Sequence, residues 1–182
     1  MKKTLLAVSI LFATSVQAGE YVKVSGEYRN GRNGTQDSET FGITIGTNID
    51  RYLDAELQST VKSNDDDTNN TRVEAALIGK YPILSRLSLY ARGAIGEKFN
   101  GSTNDEYLSI EPGVRYSVSP DLNLKAGLRF RESIDLDNDS TTTFRVSGGY
   151  NLTKTSIVSL GYDRSYGDSE YDAVNLGYTI AY

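Results

Sequence analysis

The stretch Ala173-Val174-Asn175-Leu176-Gly177-Tyr178-Thr179-Ile180-Ala181-Tyr182 alternates without a break. Large apolar side chains fall at 174, 176, 178, 180 and 182, and small or polar ones fall between them. Successive residues of a strand point to opposite faces, so this segment reads as a strand with one apolar and one small or polar face. The same period recurs in Leu122-Leu124-Ala126-Leu128-Phe130 and in Leu108-Ile110-Pro112-Val114-Tyr116-Val118.

The breaks between such runs are of two kinds. Residues 30–38, 63–70, 100–105, 135–141 and 167–171 are long and rich in Asn, Asp, Gly, Ser and Thr. Asp50-Arg51, Leu84-Ser85-Arg86, Ser119-Pro120-Asp121 and Thr153-Lys154 are tight. The two kinds alternate along the chain, which gives a hairpin repeat of roughly 35 residues. Ten strands are expected, near 20–29, 39–49, 52–62, 71–83, 87–99, 106–118, 122–134, 142–152, 155–166 and 172–182. The expected fold is all-β, a single antiparallel up-and-down barrel of ten strands, with eight or twelve as the alternatives.

Composition removes several kinds of chemistry. The 182 residues include no Cys and no His. A thiolate metal site, a Cys nucleophile, a histidine general base and a Ser-His-Asp triad are therefore all excluded. The net charge of −5 argues against nucleic acid as a partner. Asp54 and Glu56 share a face at i, i+2, and the reading prefers lumen cations over catalysis as their partners. No enzymatic activity, cofactor or metal is expected.

The first eighteen residues are set apart. Met1-Lys2-Lys3 is cationic, Thr4 to Phe12 is mostly apolar, and Val16-Gln17-Ala18 is a small-x-small site before Gly19. This is the three-part pattern of a secretory signal peptide cleaved near Ala18, and the apolar run is too short to span a bilayer as a helix. Residues 1–18 are assigned to the signal peptide and 19–182 to the barrel.

Alternation does not by itself say which face meets solvent. Aromatic placement decides it. On the apolar parity, the long-loop ends of the strands carry Tyr28, Phe41, Phe99, Phe130, Phe144 and Tyr166, and the tight-turn ends carry Tyr81, Tyr116, Tyr150 and Tyr182. Two aromatic bands at opposite strand ends fit the two interfaces of a membrane, and short turns at one end with longer loops at the other fit an outer-membrane barrel. The alternating terminus with Tyr178, Ile180 and a final Tyr182 resembles the assembly signal of Gram-negative outer-membrane β-barrel proteins. All of residues 19–182 is similar to a small member of that class. The resemblance implies location in the outer membrane, contact with its lipid and lipopolysaccharide, and recognition of the last strand by the barrel assembly machinery.

The opposite parity then faces the lumen. It carries Lys23, Arg29, Lys62, Arg72 and Lys80 with Glu27, Asp54, Glu56 and Glu74 on the first four strands. It carries Arg92, Lys98, Arg115, Lys125, Arg129, Arg131 and Arg145 against Glu111 on the next four, and Asp163 on the ninth. Twelve cations face six anions. Unpaired charge in a dry core is very costly, so the surplus favours a wet interior, and walls of Arg and Lys select anions. The expected function is a narrow, passive, anion-favouring channel for small acidic solutes, steered by Arg92, Arg115, Lys125, Arg129, Arg131 and Arg145. This basic lumen is loosely similar to the acidic-oligosaccharide porins, which have twelve strands and longer chains. The alternative is a structural or surface-interaction barrel similar to the small OmpA/OmpX-type proteins, its lumen closed by ion pairs. A soluble periplasmic barrel is a third reading. The acidic residues 37, 39, 65–67, 105, 106, 135, 137, 139, 168, 170 and 172 are read as solvated external loops. For Asp65-Asp66-Asp67 a divalent bridge to lipopolysaccharide is the other reading. Asp135, Asp137 and Asp139 lack the glycine and glutamate of a calcium loop.

Overall fold

A computed structural model describes residues 19–64, 69–100, 103–134 and 139–182. Residues 1–18, expected to be a signal peptide, and Asp65 to Asp67, Asp135 and Asp137 lie outside the described residues. The strands are β1 (Glu20–Gly31), β2 (Ser38–Asp50), β3 (Leu53–Asn64), β4 (Asn69–Leu84), β5 (Leu87–Asn100), β6 (Thr103–Ser117), β7 (Leu122–Ser133), β8 (Ser140–Asn151), β9 (Ser156–Gly167) and β10 (Tyr171–Ala181). Each pairs antiparallel with its sequence neighbours, and β1 closes on β10 from Tyr21 opposite Ala181 to Gly31 opposite Tyr171. Closure leaves no edge strand with unpaired backbone groups. At the seam Gly19 N–H donates to the Tyr182 carbonyl at 2.8 Å and Tyr182 N–H to that of Glu20 at 2.9 Å.

The tight turns hold because small hydroxyl side chains supply acceptors that the ladder no longer offers. Ser119 Oγ accepts from Leu122 N–H at 3.1 Å, and Thr153 Oγ1 accepts from Ser156 N–H at 3.0 Å. One connection differs from the sequence reading. Residues 100–105 read as a long loop, yet the β5–β6 ladder continues out to Asn100 opposite Thr103. The Asp and Asn residues there are strand residues, because a partner strand in register offsets their weak β propensity.

The faces are inverted relative to a soluble protein. Leu176, Leu160, Leu77, Ile95, Ile110 and Val174 project outward and are exposed, whereas Glu74 and Glu111 are each only 2% exposed and point inward. An apolar exterior around a charged interior is what lipid demands of a barrel wall. Nine of the ten expected band aromatics are exposed on the outer face: Tyr28, Phe41, Phe130, Phe144, Tyr166, Tyr81, Tyr116, Tyr150 and Tyr182. Phe99 shares their parity and is half-buried. Tyr162 adds to the exposed outer aromatics, and Tyr52 is exposed in the β2–β3 turn. Tyr178, exposed, and Ile180 alternate on the outer face of β10.

Candidate functional site

The interior is assembled from the inward parity of every strand. Around it a cavity of about 320 Å³ is bordered by Glu27, Asp54, Glu56, Glu74, Arg92, Lys98, Glu111, Arg115, Lys125, Arg129, Arg131 and Arg145. Lys23, Arg29, Lys62, Arg72 and Asp163 border the same space. Lys80 does not; its Nζ donates to Asp54 at 2.6 Å.

Two buried carboxylates organise the charges. Glu74 on β4 is met by Arg92 of β5 at 2.6 Å, by Arg129 of β7, and by the Tyr107 hydroxyl of β6 at 2.9 Å. Arg92 also reaches Glu56 of β3 at 3.3 Å. Arg129 lies three strands round the wall from Glu74, so this pair is a chord across the lumen. Glu111 on β6 is met by Arg145 of β8 at 2.8 Å, by Lys125 of β7 at 3.3 Å and by the Tyr90 hydroxyl at 2.8 Å. Arg145 turns its other edge to Asp163 of β9 at 3.0 Å. Buried charge is tolerated when paired and hydrogen-bonded in this way. Arg131 pairs with Asp139 at 2.9 Å, and Arg29 pairs with Glu27 on its own strand.

Two of the lumen expectations change. Asp105 and Asp139, read as loop residues, contribute to the interior: Asp105 faces inward on β6, 3% exposed, and accepts from Ser133. Of the six cations expected to steer solutes, Arg92, Lys125, Arg129, Arg131 and Arg145 are engaged in ion pairs. Among the described residues the lumen cations that form no ion pair are Lys23, Lys62, Arg72, Lys98 and Arg115. Sequence parity placed all of them inside but was silent on pairing.

The sequence reading also passed over four interior tyrosines, one of which, Tyr171, lies 4.5 Å from Arg29 at the cavity border. Tyr21, Tyr90 and Tyr107 each pass close to a glycine of a neighbouring strand and donate the hydroxyl to a carboxylate. Tyr21 covers Gly46 and donates to Glu56. Tyr107 covers Gly96 on its way to Glu74, and Tyr90 covers Gly113 and Gly127 on its way to Glu111. At Gly46 and Gly96 the atoms nearest to an added Cβ all belong to Tyr21 and Tyr107, so only glycine admits those rings. The signal was available: these tyrosines sit on the charged parity, opposite glycines of the same parity. The remaining wall, on β2, β9 and β10, is small and polar, with Thr40, Thr44, Ser159, Gly161, Asn175 and Gly177 bordering the cavity.

The family model for the outer membrane protein beta-barrel domain matches residues 4–151. Among solved structures the chain is similar to an outer membrane channel from Pseudomonas putida F1, with TM-score 0.61 and 11% identity over 92% of this chain and 97% of that one. It is similar to the KdgM porin in complex with disordered oligogalacturonate, with TM-score 0.53 and 12% identity over 89% of this chain and 99% of that one. It is also similar to the NanC porin, with TM-score 0.52 and 10% identity over 88% and 100% of the two chains. At these identities the likeness is one of fold. No curated protein sequence matches the chain.

Proposed function

The chain belongs to the outer membrane protein beta-barrel domain family, and from that membership we propose that it is a narrow, passive, non-catalytic channel of the outer membrane that favours small acidic solutes. The observation that carries this reading is the cationic surplus around a cavity of about 320 Å³. Among the described residues Lys23, Lys62, Arg72, Lys98 and Arg115 form no ion pair, so cations outnumber paired carboxylates around the cavity. A lumen lined with such groups attracts anions and repels cations, and low-dielectric walls focus the field. The small polar wall of β2, β9 and β10 supplies space beside the ion-paired cluster. In this reading the chain reaches the membrane after cleavage of residues 1–18, and its last strand is read by the assembly machinery.

Planar-bilayer recordings under a salt gradient test the proposal. The expected result is a small conductance whose reversal potential reports anion preference. Absence of conductance, or preference for cations, overturns it.

One observation favours a second reading. The chord from Arg129 to Glu74 and the Arg145–Glu111 pair cross the interior and narrow it. If they close the lumen completely, the barrel is a structural or surface-interaction protein, and its bilayers stay silent until Glu74 is replaced.

A further inference from the structure

Two pairs of cations stand directly opposite one another on adjacent strands. Arg72 of β4 faces Lys98 of β5, and Arg115 of β6 faces Lys125 of β7. Like charges in directly opposed positions destabilise a sheet. At the second pair the repulsion is relieved, because Lys125 reaches Glu111 at 3.3 Å and lies 4.1 Å over the Tyr90 ring. At the first pair no ion pair relieves it. Neither Arg72 nor Lys98 forms an ion pair among the described residues. Lys98 has Asp105 opposite it on its other side; that carboxylate accepts from Ser133 and forms no ion pair with Lys98, so it offsets the lysine only through space.

A third cation joins them. Thr60 is the β3 partner of Arg72, and Lys62 stands one inward step further along that strand, toward the same mouth. Arg72 lies over the Tyr107 ring at 5.3 Å, and its Nε is buried with no hydrogen-bond acceptor. All three cations border the cavity. A buried guanidinium donor without an acceptor, flanked by two ammonium groups, is a strained arrangement for an empty site and a suitable one for an oxyanion. The planar fork takes two oxygens, and the lysines add point charge.

We propose that Lys62, Arg72 and Lys98 form a binding site at the long-loop end of the lumen for an oxyanion carrying two or more negative charges. The inference rests on the channel reading for the route by which solute arrives, but binding is measured apart from conduction. Singly charged ions match the site less well, because one negative charge leaves the Arg72–Lys98 repulsion largely in place.

The test is calorimetric titration of sulfate into the refolded 19–182 barrel in detergent, at ionic strength matched with sodium chloride. Sulfate is expected to bind one site and to raise the unfolding temperature by mass action. The Arg72→Gln, Lys98→Gln double variant is expected to bind at least about tenfold more weakly, since each lost contact is a charge-assisted hydrogen bond. Lys154→Gln, in an exposed turn, controls for net charge. If the double variant fails to refold, Lys98→Gln alone serves, because it removes the repulsion while leaving Arg72 in place. No sulfate heat, or equal affinity in the variants and the parent, overturns the site. A barrel that conducts anions yet binds no sulfate keeps the channel and loses the site. One that binds sulfate without conducting keeps the site and loses the channel.

Discussion

Replacing Glu74 tests whether the interior is held by the paired charges described above. Glu74 is 2% exposed and takes Arg92 at 2.6 Å, Arg129, and the Tyr107 hydroxyl at 2.9 Å. Removing one partner of a buried ion pair costs about 3–5 kcal/mol, mostly from stranding the other charge. Two features lower that figure here. Arg92 keeps Glu56 at 3.3 Å, and the Arg129 side chain retains 16% exposure. Glu74→Ala is therefore expected to cost about 3 kcal/mol, the low end of the buried-pair range. Glu74→Gln, which still accepts from Tyr107, is expected to cost about 2 kcal/mol. The assay is urea unfolding in lipid vesicles. With a slope of about 2–3 kcal/mol per molar, the Ala variant shifts the midpoint down by about 1 M. In an Arg129→Met background the cost of Glu74→Ala should fall, with a coupling of about 1–3 kcal/mol. A midpoint shift below about 0.2 M, or no coupling, refutes the assignment of Glu74 as the centre of the network.

Two further outcomes follow from the wall itself. Leu176→Lys places a charge on the lipid face and should cost about 2–4 kcal/mol near mid-membrane, whereas Asn175→Lys, one residue away, faces the lumen opposite Glu27 and should be near neutral; equal costs in vesicle unfolding would reverse the assigned parity. Gly46→Val drives side-chain atoms into the Tyr21 ring, whose atoms are the nearest to an added Cβ there, and should cost about 1–3 kcal/mol, recovered in part by Tyr21→Ala; no recovery in the double variant would show that the ring contact is not the cause.

Strand number and wall parity were readable because both are local. Val174, Leu176 and Tyr178 declare their face by spacing alone, and Ser119 or Thr153 declares a turn by its own side-chain chemistry. Where a segment's local signal was weak, the reading slipped. Asn104 and Asp105 resemble a loop until a partner strand pairs with them. The lumen residues were legible as a set for the same reason, since parity assigned Arg92, Arg129 and Glu74 to one side. Their partnerships were not. Arg129 and Glu74 are 55 residues apart and three strands removed, and nothing periodic links them.

The chain by itself determined a ten-stranded barrel with an apolar skin and a charged interior, because period, turn chemistry and side-chain direction are properties of adjacent residues. Only the closed structure decided which charges cancel. Pairing across a lumen depends on the register of each hairpin and on the tilt that closure imposes, and these accumulate around the wall. That accumulation sets Arg129 against Glu74 and Arg145 against Glu111, and it leaves Arg72 facing Lys98 with no carboxylate between them.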